Sequence, residues 1–401
     1  MVGGFATWTL HVRDGFRALG HEADVVTCTR SGKPRASWSS HKITNFKWRA
    51  EPYEVVTKYT NAVDTLNGYD GIILVDPCVY RQDREALRGL SALVPDVPDY
   101  VTILERVSRP VTVAIHCSRY ERAKLPFLDR LLSVPTFNGK VVTHSRDTFE
   151  EHQELWPDLT MAHALPLPYR ARHAVDGEIS STDGNVVGIT GRYSSIKGHH
   201  VLAHAWAAGY LPSADAVVLY GGGDTFRGPS ASRITYERLL SSYPDLVGKI
   251  ADGSPSFSLP WTITNGHSGL GYVGNYYDGY AAAESMDVHL NLTTRVASGA
   301  LEYAQLEAID AGAAQLSLAH RWDQDYLGVV LPSVAKWPGD VKLSAGKSAD
   351  VLQAIGDGVC DLLDLDPSAR AERRHHNRKI LALKHDPKLA AQAYLDVLFT
   401  Q

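Results

Sequence analysis

The sequence predicts an α/β fold of two domains, each built around a parallel β-sheet. The chain has 401 residues, of which 44% are apolar and 21% charged, which is enough to form two ordinary hydrophobic cores. Short apolar runs alternate with amphipathic stretches along nearly the whole length, the rhythm of repeated strand–helix–strand units. A break in this rhythm near the middle of the chain separates the two halves.

The first half contains the apolar runs expected of buried strands. They are residues 23–28, 71–75, 111–115 and 141–143. A helical pattern from Thr7 to Leu19 precedes these runs, and Gly20 marks the C-terminal end of the predicted helix. Gly3 and Gly4 resemble a glycine loop, but only two residues precede them, so the strand that should lead into such a loop is either missing or replaced. We predict a Rossmann-like domain over residues 1–168 that binds the acceptor.

The second half repeats the pattern after a linker at residues 166–184, where Pro-Leu-Pro-Tyr is followed by a polar stretch. Its candidate strands are residues 185–190, 216–220, 271–273, 287–292, 313–318 and 329–331. They predict a second Rossmann-like domain over residues 185–386. The helical stretch 387–401 could cross back to the first domain.

Composition restricts the class of protein. No run of eighteen apolar residues occurs, and the first residues lack the features of a signal peptide, so we expect a soluble cytoplasmic protein with no membrane partner. The four cysteines are scattered without metal-ligand spacing, and no metal site is expected. The net charge of −5 argues against a protein covered in nucleic acid but leaves room for one basic groove.

One segment, residues 30–50, has the composition of such a groove because it carries six cations and no acid. The cations are Arg30, Lys33, Arg35, Lys42, Lys47 and Arg49. Trp38 and Trp48 lie among them and could stack on bases or wedge into a duplex. A solvated basic loop is the alternative interpretation.

A loop with two cations, Arg192 and Lys197, follows the strand that opens the second domain. An Arg and a Lys fixed at a strand end can stabilise the charge that grows on a nucleoside diphosphate leaving group, without a metal. An ordinary surface loop remains the alternative for this segment taken alone.

Two acids, Glu302 and Glu307, lie in a helical stretch that ends at Gly312. They are five residues apart, so on a regular helix they diverge by more than a quarter turn and cannot serve one ligand atom. They could serve one elongated ligand. An exposed helix with scattered acids is the alternative, but the apolar neighbours indicate burial, where a carboxylate needs a partner.

His116 follows the apolar strand 111–115 and therefore lies at the carboxyl end of a strand, where open α/β folds bind ligands. A single histidine is also often structural. Arg119, Arg122 and Lys124, just beyond it, could line the same cleft and contact phosphates.

Taken in this order, the glycine loop, the strand-end histidine, the Arg192 and Lys197 loop and the helix with Glu302 and Glu307 resemble retaining GT-B glycosyltransferases. The resemblance covers nearly the whole chain and implies two Rossmann-like domains with an interdomain cleft. Within that group the sequence is most similar to the DNA α-glucosyltransferase family of T-even bacteriophages. That family transfers glucose from UDP-glucose to 5-hydroxymethylcytosine in double-stranded DNA.

The resemblance implies roles for the candidate residues. Arg192 and Lys197 would hold the diphosphate, Glu307 the ribose and Glu302 the transferred sugar, with His116 near the reacting centre. Further donor contacts are expected at Gly3, Gly4, Tyr272 and Gly274. The donor would be a UDP-sugar, in view of the family UDP-glucose, and no metal would be required.

Two departures from the family pattern stand out. Most retaining GT-B enzymes carry two glutamates eight residues apart, but Gly299 stands eight residues before Glu307, so Glu302 must take the sugar-facing role. Cys117 stands where the phage enzyme has an acid. The acceptor hydroxyl would then be activated by the donor phosphate itself.

We therefore expect a phage DNA-modifying enzyme that moves a hexose from a UDP-sugar to a 5-hydroxymethylpyrimidine in double-stranded DNA, with retention of configuration. A bacterial GT-B glycosyltransferase acting on a lipid, glycan or small molecule is the alternative enzyme. A non-catalytic protein that binds sugar nucleotides or DNA is the alternative of another class.

Overall fold

The structure is a computed structural model that describes most of both halves of the chain. The described residues are 4–29, 32, 54–75, 100–115, 130–155, 157, 160–177, 185–191, 196–220, 279–294, 301–334, 337 and 347–400. The chain divides into a first unit of residues 1–41, 47–170 and 384–401 and a second unit of residues 42–46 and 171–383. None of the helices among the described residues is long and apolar enough to cross a membrane.

The first unit is built on parallel strands. β1 (Val25–Thr29) pairs with β2 (Glu54–Lys58), and a separate four-stranded sheet has the order β3-β4-β5-β6. These four strands are β3 (Ile72–Val75), β4 (Val111–Ile115), β5 (Phe137–Thr143) and β6 (Thr160–Ala164). The helices that accompany them are α1 (Gly4–Ala18), α2 (Ala62–Asn67), α3 (Tyr100–Leu104) and α4 (Arg146–Leu155).

Strands β2 and β6 were not predicted from the sequence. β6 lies at the edge of its sheet, where Thr160, His163 and Ala164 are exposed, so its sequence carries no apolar run. β2 belongs to a two-stranded sheet and carries charged residues at both ends. In contrast, every residue of β4 is buried, which is why its apolar run identified it.

Among its described residues, the second unit contains a five-stranded parallel sheet of order β11-β10-β9-β7-β8. The strands are β7 (Val186–Thr190), β8 (Ala216–Tyr220), β9 (Val288–Asn291), β10 (Ala314–Leu318) and β11 (Val329–Leu331). The helices are α5 (His199–Ala207), α6 (Gly279–Glu284), α7 (Tyr303–Ala311), α8 (Lys347–Leu363) and α9 (Pro367–Lys384). The core between strands and helices includes the fully buried Val201, Leu290, Leu316 and Ile355. The predicted strand 271–273 lies outside the described residues.

The last helix, α10 (Pro387–Phe399), belongs to the first unit and packs on α1. Trp8 of α1 meets Tyr394 edge to face, with ring centroids 5.7 Å apart. At the end of the helix, the Asn138 amide donates to the Val397 carbonyl at 2.9 Å, and the Lys140 ammonium donates to the Thr400 carbonyl at 2.9 Å. The first unit is therefore assembled from chain segments at both ends of the sequence.

Parallel strands bring their carboxyl ends to one edge of the sheet. In the second unit, the segments that follow β7, β9 and β10 therefore lie at a common edge. These segments carry Lys197, Thr293 and Arg321. The candidate active site is built there.

Candidate active site

Gly198 allows the loop that carries Lys197 to pack closely against the segment that follows β9. Gly198 adopts φ 81° just before α5, a left-handed conformation that favours glycine. A side chain at this position would also collide with Leu292, because an added Cβ would lie 2.5 Å from the Leu292 Cβ. The Thr294 amide donates to the Ile196 carbonyl at 2.9 Å and joins the two segments. Lys197 is thereby held beside Thr293.

Glu302 lies at the start of α7, in an extended conformation, and its side chain does not cap its own helix. Instead, one carboxylate oxygen accepts hydrogen bonds from the Lys197 ammonium and, at 3.4 Å, from the Thr293 hydroxyl. The other oxygen lies 4.0 Å from the Arg321 guanidinium. The exposed fraction is 14% for Lys197, 22% for Glu302 and 1% for Arg321. One carboxylate is thus held between a partly exposed cation and a buried one.

The two cations determine the charge of Glu302. Burial alone would raise the pKa of its carboxyl group, but the charges of Lys197 and Arg321 and the hydrogen bonds from Lys197 and Thr293 outweigh burial and lower that pKa to about 2. Glu302 is therefore ionised at neutral pH and can only accept hydrogen bonds. Such a group suits contact with sugar hydroxyls and cannot act as a general acid.

A layer of buried polar side chains fixes the base of this cluster. The Asn291 amide donates to the Gln305 side chain at 2.9 Å, while the Asn291 oxygen accepts from the Thr293 amide at 3.2 Å. The His320 ring contacts the Thr293 carbonyl through Nε2 at 2.9 Å. Thr293 is consequently held from both sides, which fixes the hydroxyl that reaches Glu302.

His289 lies in the same layer on β9, with Nε2 3.1 Å from the Thr190 hydroxyl. Burial lowers its pKa to about 4 and outweighs the opposite effects of the Gln315 side-chain oxygen, a hydrogen-bond acceptor for the ring, and of the Glu302 charge. His289 is therefore neutral at physiological pH, and it adds no positive charge beneath Glu302.

Of the residues predicted from the sequence, the structure brings Lys197 and Glu302 into direct contact. Glu307 lies in the following turn of α7 and is half-buried. Gly4 begins α1 in the first unit. The other candidates lie outside the described residues: Gly3, Arg30, Lys33, Arg35, Trp38, Lys42, Lys47, Trp48, Arg49, His116, Arg119, Arg122, Lys124, Arg192, Tyr272 and Gly274.

The sequence analysis did not single out Thr293 or Arg321. A signal for Arg321 was available, because it stands three residues beyond the carboxyl end of β10, the kind of position that drew attention to His116. Thr293 also stands close to a strand end, two residues beyond β9, but an uncharged threonine does not by itself mark a phosphate or sugar site. Within the described ranges, no group of three or more His, Cys, Asp or Glu side chains could hold a metal ion.

Comparison with protein-family models and with curated protein sequences gives no match. Solved structures do match. The chain is similar to T4 α-glucosyltransferase in complex with UDP-glucose and DNA containing an abasic site, with a TM-score of 0.59, 14% identity, and coverage of 99% of this chain and 96% of that chain. It is also similar to Anabaena Alr3699/HepE in complex with UDP and glucose, with a TM-score of 0.55, 13% identity, and coverage of 94% and 100%.

Larger chains match less well. The protein spans 59% of the matched chain in the GtfA/B complex and 58% of TarM, with TM-scores of 0.45 and 0.47. The two better likenesses extend over whole chains and agree with the two parallel sheets described above. The chain therefore has the GT-B fold, with two Rossmann-like domains.

Proposed function

We propose that the protein is a UDP-sugar-dependent glycosyltransferase whose donor site contains Lys197, Glu302 and Arg321. The observation that carries this proposal is the contact between Lys197 and Glu302 at the carboxyl edge of the second sheet. This edge is where open α/β sheets bind their ligands. A cation suited to phosphate and an ionised carboxylate suited to sugar hydroxyls lie side by side there.

The donor chemistry follows from these charges. As the bond between the anomeric carbon and the diphosphate oxygen breaks, negative charge grows on the diphosphate. The Lys197 ammonium, together with Arg192 from the same loop, would stabilise that charge, so this mechanism does not call on a metal. Glu302 would accept hydrogen bonds from the sugar, and Glu307, further along α7, would accept them from the ribose.

For the acceptor, we propose a 5-hydroxymethylpyrimidine in double-stranded DNA. Support comes from the sequence motifs shared with the phage family, from the basic and aromatic segment 30–50, and from the likeness to an α-glucosyltransferase bound to DNA. The target base would have to leave the stack to meet the sugar. Its hydroxyl would attack from the side that the diphosphate leaves and pass its proton to the departing phosphate, which retains the configuration. His116 would lie near this centre.

A bacterial glycosyltransferase acting on a glycan, lipid or small molecule is the second candidate, because the nearly equal likeness to Alr3699/HepE in complex with UDP and glucose supports the donor without pointing to DNA. A non-catalytic protein that binds sugar nucleotides or DNA is the candidate from another class. The three candidate functions differ in whether a sugar is transferred and, if it is, in the acceptor that receives it.

One experiment separates these candidates. The protein is incubated with UDP-glucose and duplexes that contain 5-hydroxymethylcytosine, 5-hydroxymethyluracil or neither, and the released nucleosides are analysed by mass spectrometry. We expect a hexose mass on a hydroxymethylated base alone. Hydrolysis of UDP-glucose without transfer to any duplex would move the acceptor to the second candidate, and binding without turnover would favour the non-catalytic one.

The basic segment gives a separate prediction about DNA. Replacing Lys42 with alanine should raise the apparent KM for DNA with little change in kcat. It should also reduce the slope of log K against log salt concentration by about one, the contribution of one phosphate contact. The measurement is transfer rate against duplex concentration at several salt concentrations. Lys379→Ala, an exposed lysine of α9, serves as the control. An equal change in both variants would remove segment 30–50 from the DNA-binding surface.

A further inference from the structure

The two cations beside Glu302 differ in their freedom to move. Lys197 follows β7 on a loop, is 14% exposed and carries a flexible four-carbon side chain. Arg321 is 1% exposed and ends a short 3-10 turn, Ala319–Arg321, directly after β10. Lys197 can therefore turn toward a ligand, whereas Arg321 is enclosed by protein.

The turn that carries Arg321 is held in place at several points. The Ser317 hydroxyl, 3.3 Å from the Arg321 carbonyl, donates to it, and the His320 amide donates to the Ser333 hydroxyl at 3.2 Å. The His320 ring contacts the Thr293 carbonyl, so the turn is tied to the segment whose hydroxyl also reaches Glu302. The guanidinium is thus fixed relative to the carboxylate.

We propose that Arg321 is the permanent counter-ion of Glu302, which allows Lys197 to leave the carboxylate for the diphosphate when the donor binds. This inference rests on the donor site proposed above. In the absence of donor, Glu302 has both cations as neighbours. In the donor complex Lys197 pairs with the diphosphate, and Arg321 alone keeps Glu302 ionised beside the sugar hydroxyls.

The physical reason is the cost of a buried charge. A carboxylate removed from water takes up a proton unless a cation or hydrogen bonds compensate. Burial raises the pKa of Glu302, while Lys197 and Arg321 lower it. Once Lys197 has moved, an enzyme without Arg321 would hold a protonated Glu302. A protonated carboxyl group accepts hydrogen bonds from sugar hydroxyls poorly. Arg321 is therefore a positioning residue that acts through Glu302.

The inference predicts how donor affinity depends on pH. In the donor-free enzyme both cations lower the pKa of Glu302, to about 2. In the wild type Arg321 remains when Lys197 moves, so Glu302 stays ionised and adds no pH dependence between about pH 8 and about pH 5. Without Arg321, binding leaves the buried carboxylate without a cation and raises its pKa, so Glu302 takes up a proton as the donor binds. Binding that is coupled to proton uptake weakens as the pH rises, and UDP-glucose affinity should therefore be lowest at pH 8 and recover toward pH 5. UDP carries the same diphosphate and should show the same pH trend, without the further loss of contacts between the transferred sugar and Glu302.

The experiment compares Arg321→Met, Arg321→Lys and the wild type by calorimetric titration with UDP-glucose and with UDP. Results are expressed as the ratio of variant Kd to wild-type Kd at each pH, so that titration of the ligand's own phosphate cancels. For Arg321→Met we expect UDP-glucose to bind about tenfold more weakly at pH 8, with a partial recovery toward pH 5, and UDP to show a smaller loss with the same pH trend. Arg321→Lys, which keeps the charge, should remove the pH dependence.

Arg378→Met is the matched control. Arg378 is also buried in the second unit, but it donates to the Asp310 and Gly177 carbonyls rather than to Glu302. It should lower stability without changing the pH profile. Losses that do not vary with pH in Arg321→Met, or in Arg321→Gln should the methionine variant not fold, would overturn the inference while leaving the donor site intact. A wild type that binds neither ligand would overturn the donor site, and the inference with it.

Discussion

Replacing Lys197 with alanine is expected to lower kcat for sugar transfer by about 10²- to 10³-fold. The close approach of Gly198 to Leu292 places the ammonium beside Glu302 at the carboxyl ends of the strands, where the proposed donor site would hold the diphosphate. Because that charge is larger in the transition state than in the bound donor, the loss should appear mainly in kcat. Glu302 keeps Arg321 nearby, so the variant should still fold.

The measurement is the rate of hexose transfer at saturating UDP-glucose, with kcat and KM fitted separately. Lys379→Ala controls for loss of a lysine in the same unit, and Lys197→Arg should recover part of the rate because it restores the charge. A variant with an unchanged kcat would remove Lys197 from the donor site.

Replacing Gly15 with alanine is expected to destabilise the first unit by about 2 to 3 kcal/mol. An added Cβ would overlap the Pro387 carbonyl, lying 2.6 Å from its carbon and 3.1 Å from the Ala391 Cβ. The obstacle is backbone, which cannot rotate away, so α1 and α10 would have to separate. Alanine favours a helix interior by up to about 1 kcal/mol over glycine, but this gain is too small to offset the clash.

Thermal unfolding followed by calorimetry measures this effect. Gly71→Ala is the matched control, because its added Cβ would meet only the side-chain ends of Phe399 and Leu398, at 3.1 and 3.2 Å. Those ends can shift, so a smaller decrease in Tm is expected than for Gly15→Ala. Equal decreases for the two variants would mean that the close approach of α1 and α10 at Gly15 is not what limits stability.

The sequence predicted the buried strands well because burial on both faces of a parallel sheet demands an uninterrupted apolar run. The run at residues 111–115 became β4, and the run at residues 216–220 became β8, with the same bounds. β6 was not predicted because this edge strand exposes part of its surface and contains polar residues such as His163. Apolar runs therefore identify buried strands, including the outermost strand β8, and miss an exposed edge strand such as β6.

For the candidate active site, the sequence identified residue types but not their contacts. Lys197 and Glu302 stood out separately, one after a strand and one at a helix start, yet they are 105 residues apart. Their pairing depends on strand order β9-β7 and on the fit of Gly198 against Leu292. Arg321 was missed although it follows a strand end, because its importance comes from burial beside a carboxylate, which its neighbours in sequence do not reveal.

The packing of α1 against α10 also constrains the order in which the protein can mature on the ribosome. Translation delivers α1 long before α10, so the face of α1 that carries Trp8 and Gly15 lacks its packing against α10 until residues 387–399 have been made. The five strands of the second unit, in contrast, all lie between residues 186 and 331 and can pair before then. Multidomain chains generally fold from the N-terminus onward during synthesis. In this protein the sheet of the second unit would form before α1 packs on α10. Until then α1 would remain accessible to chaperones and proteases.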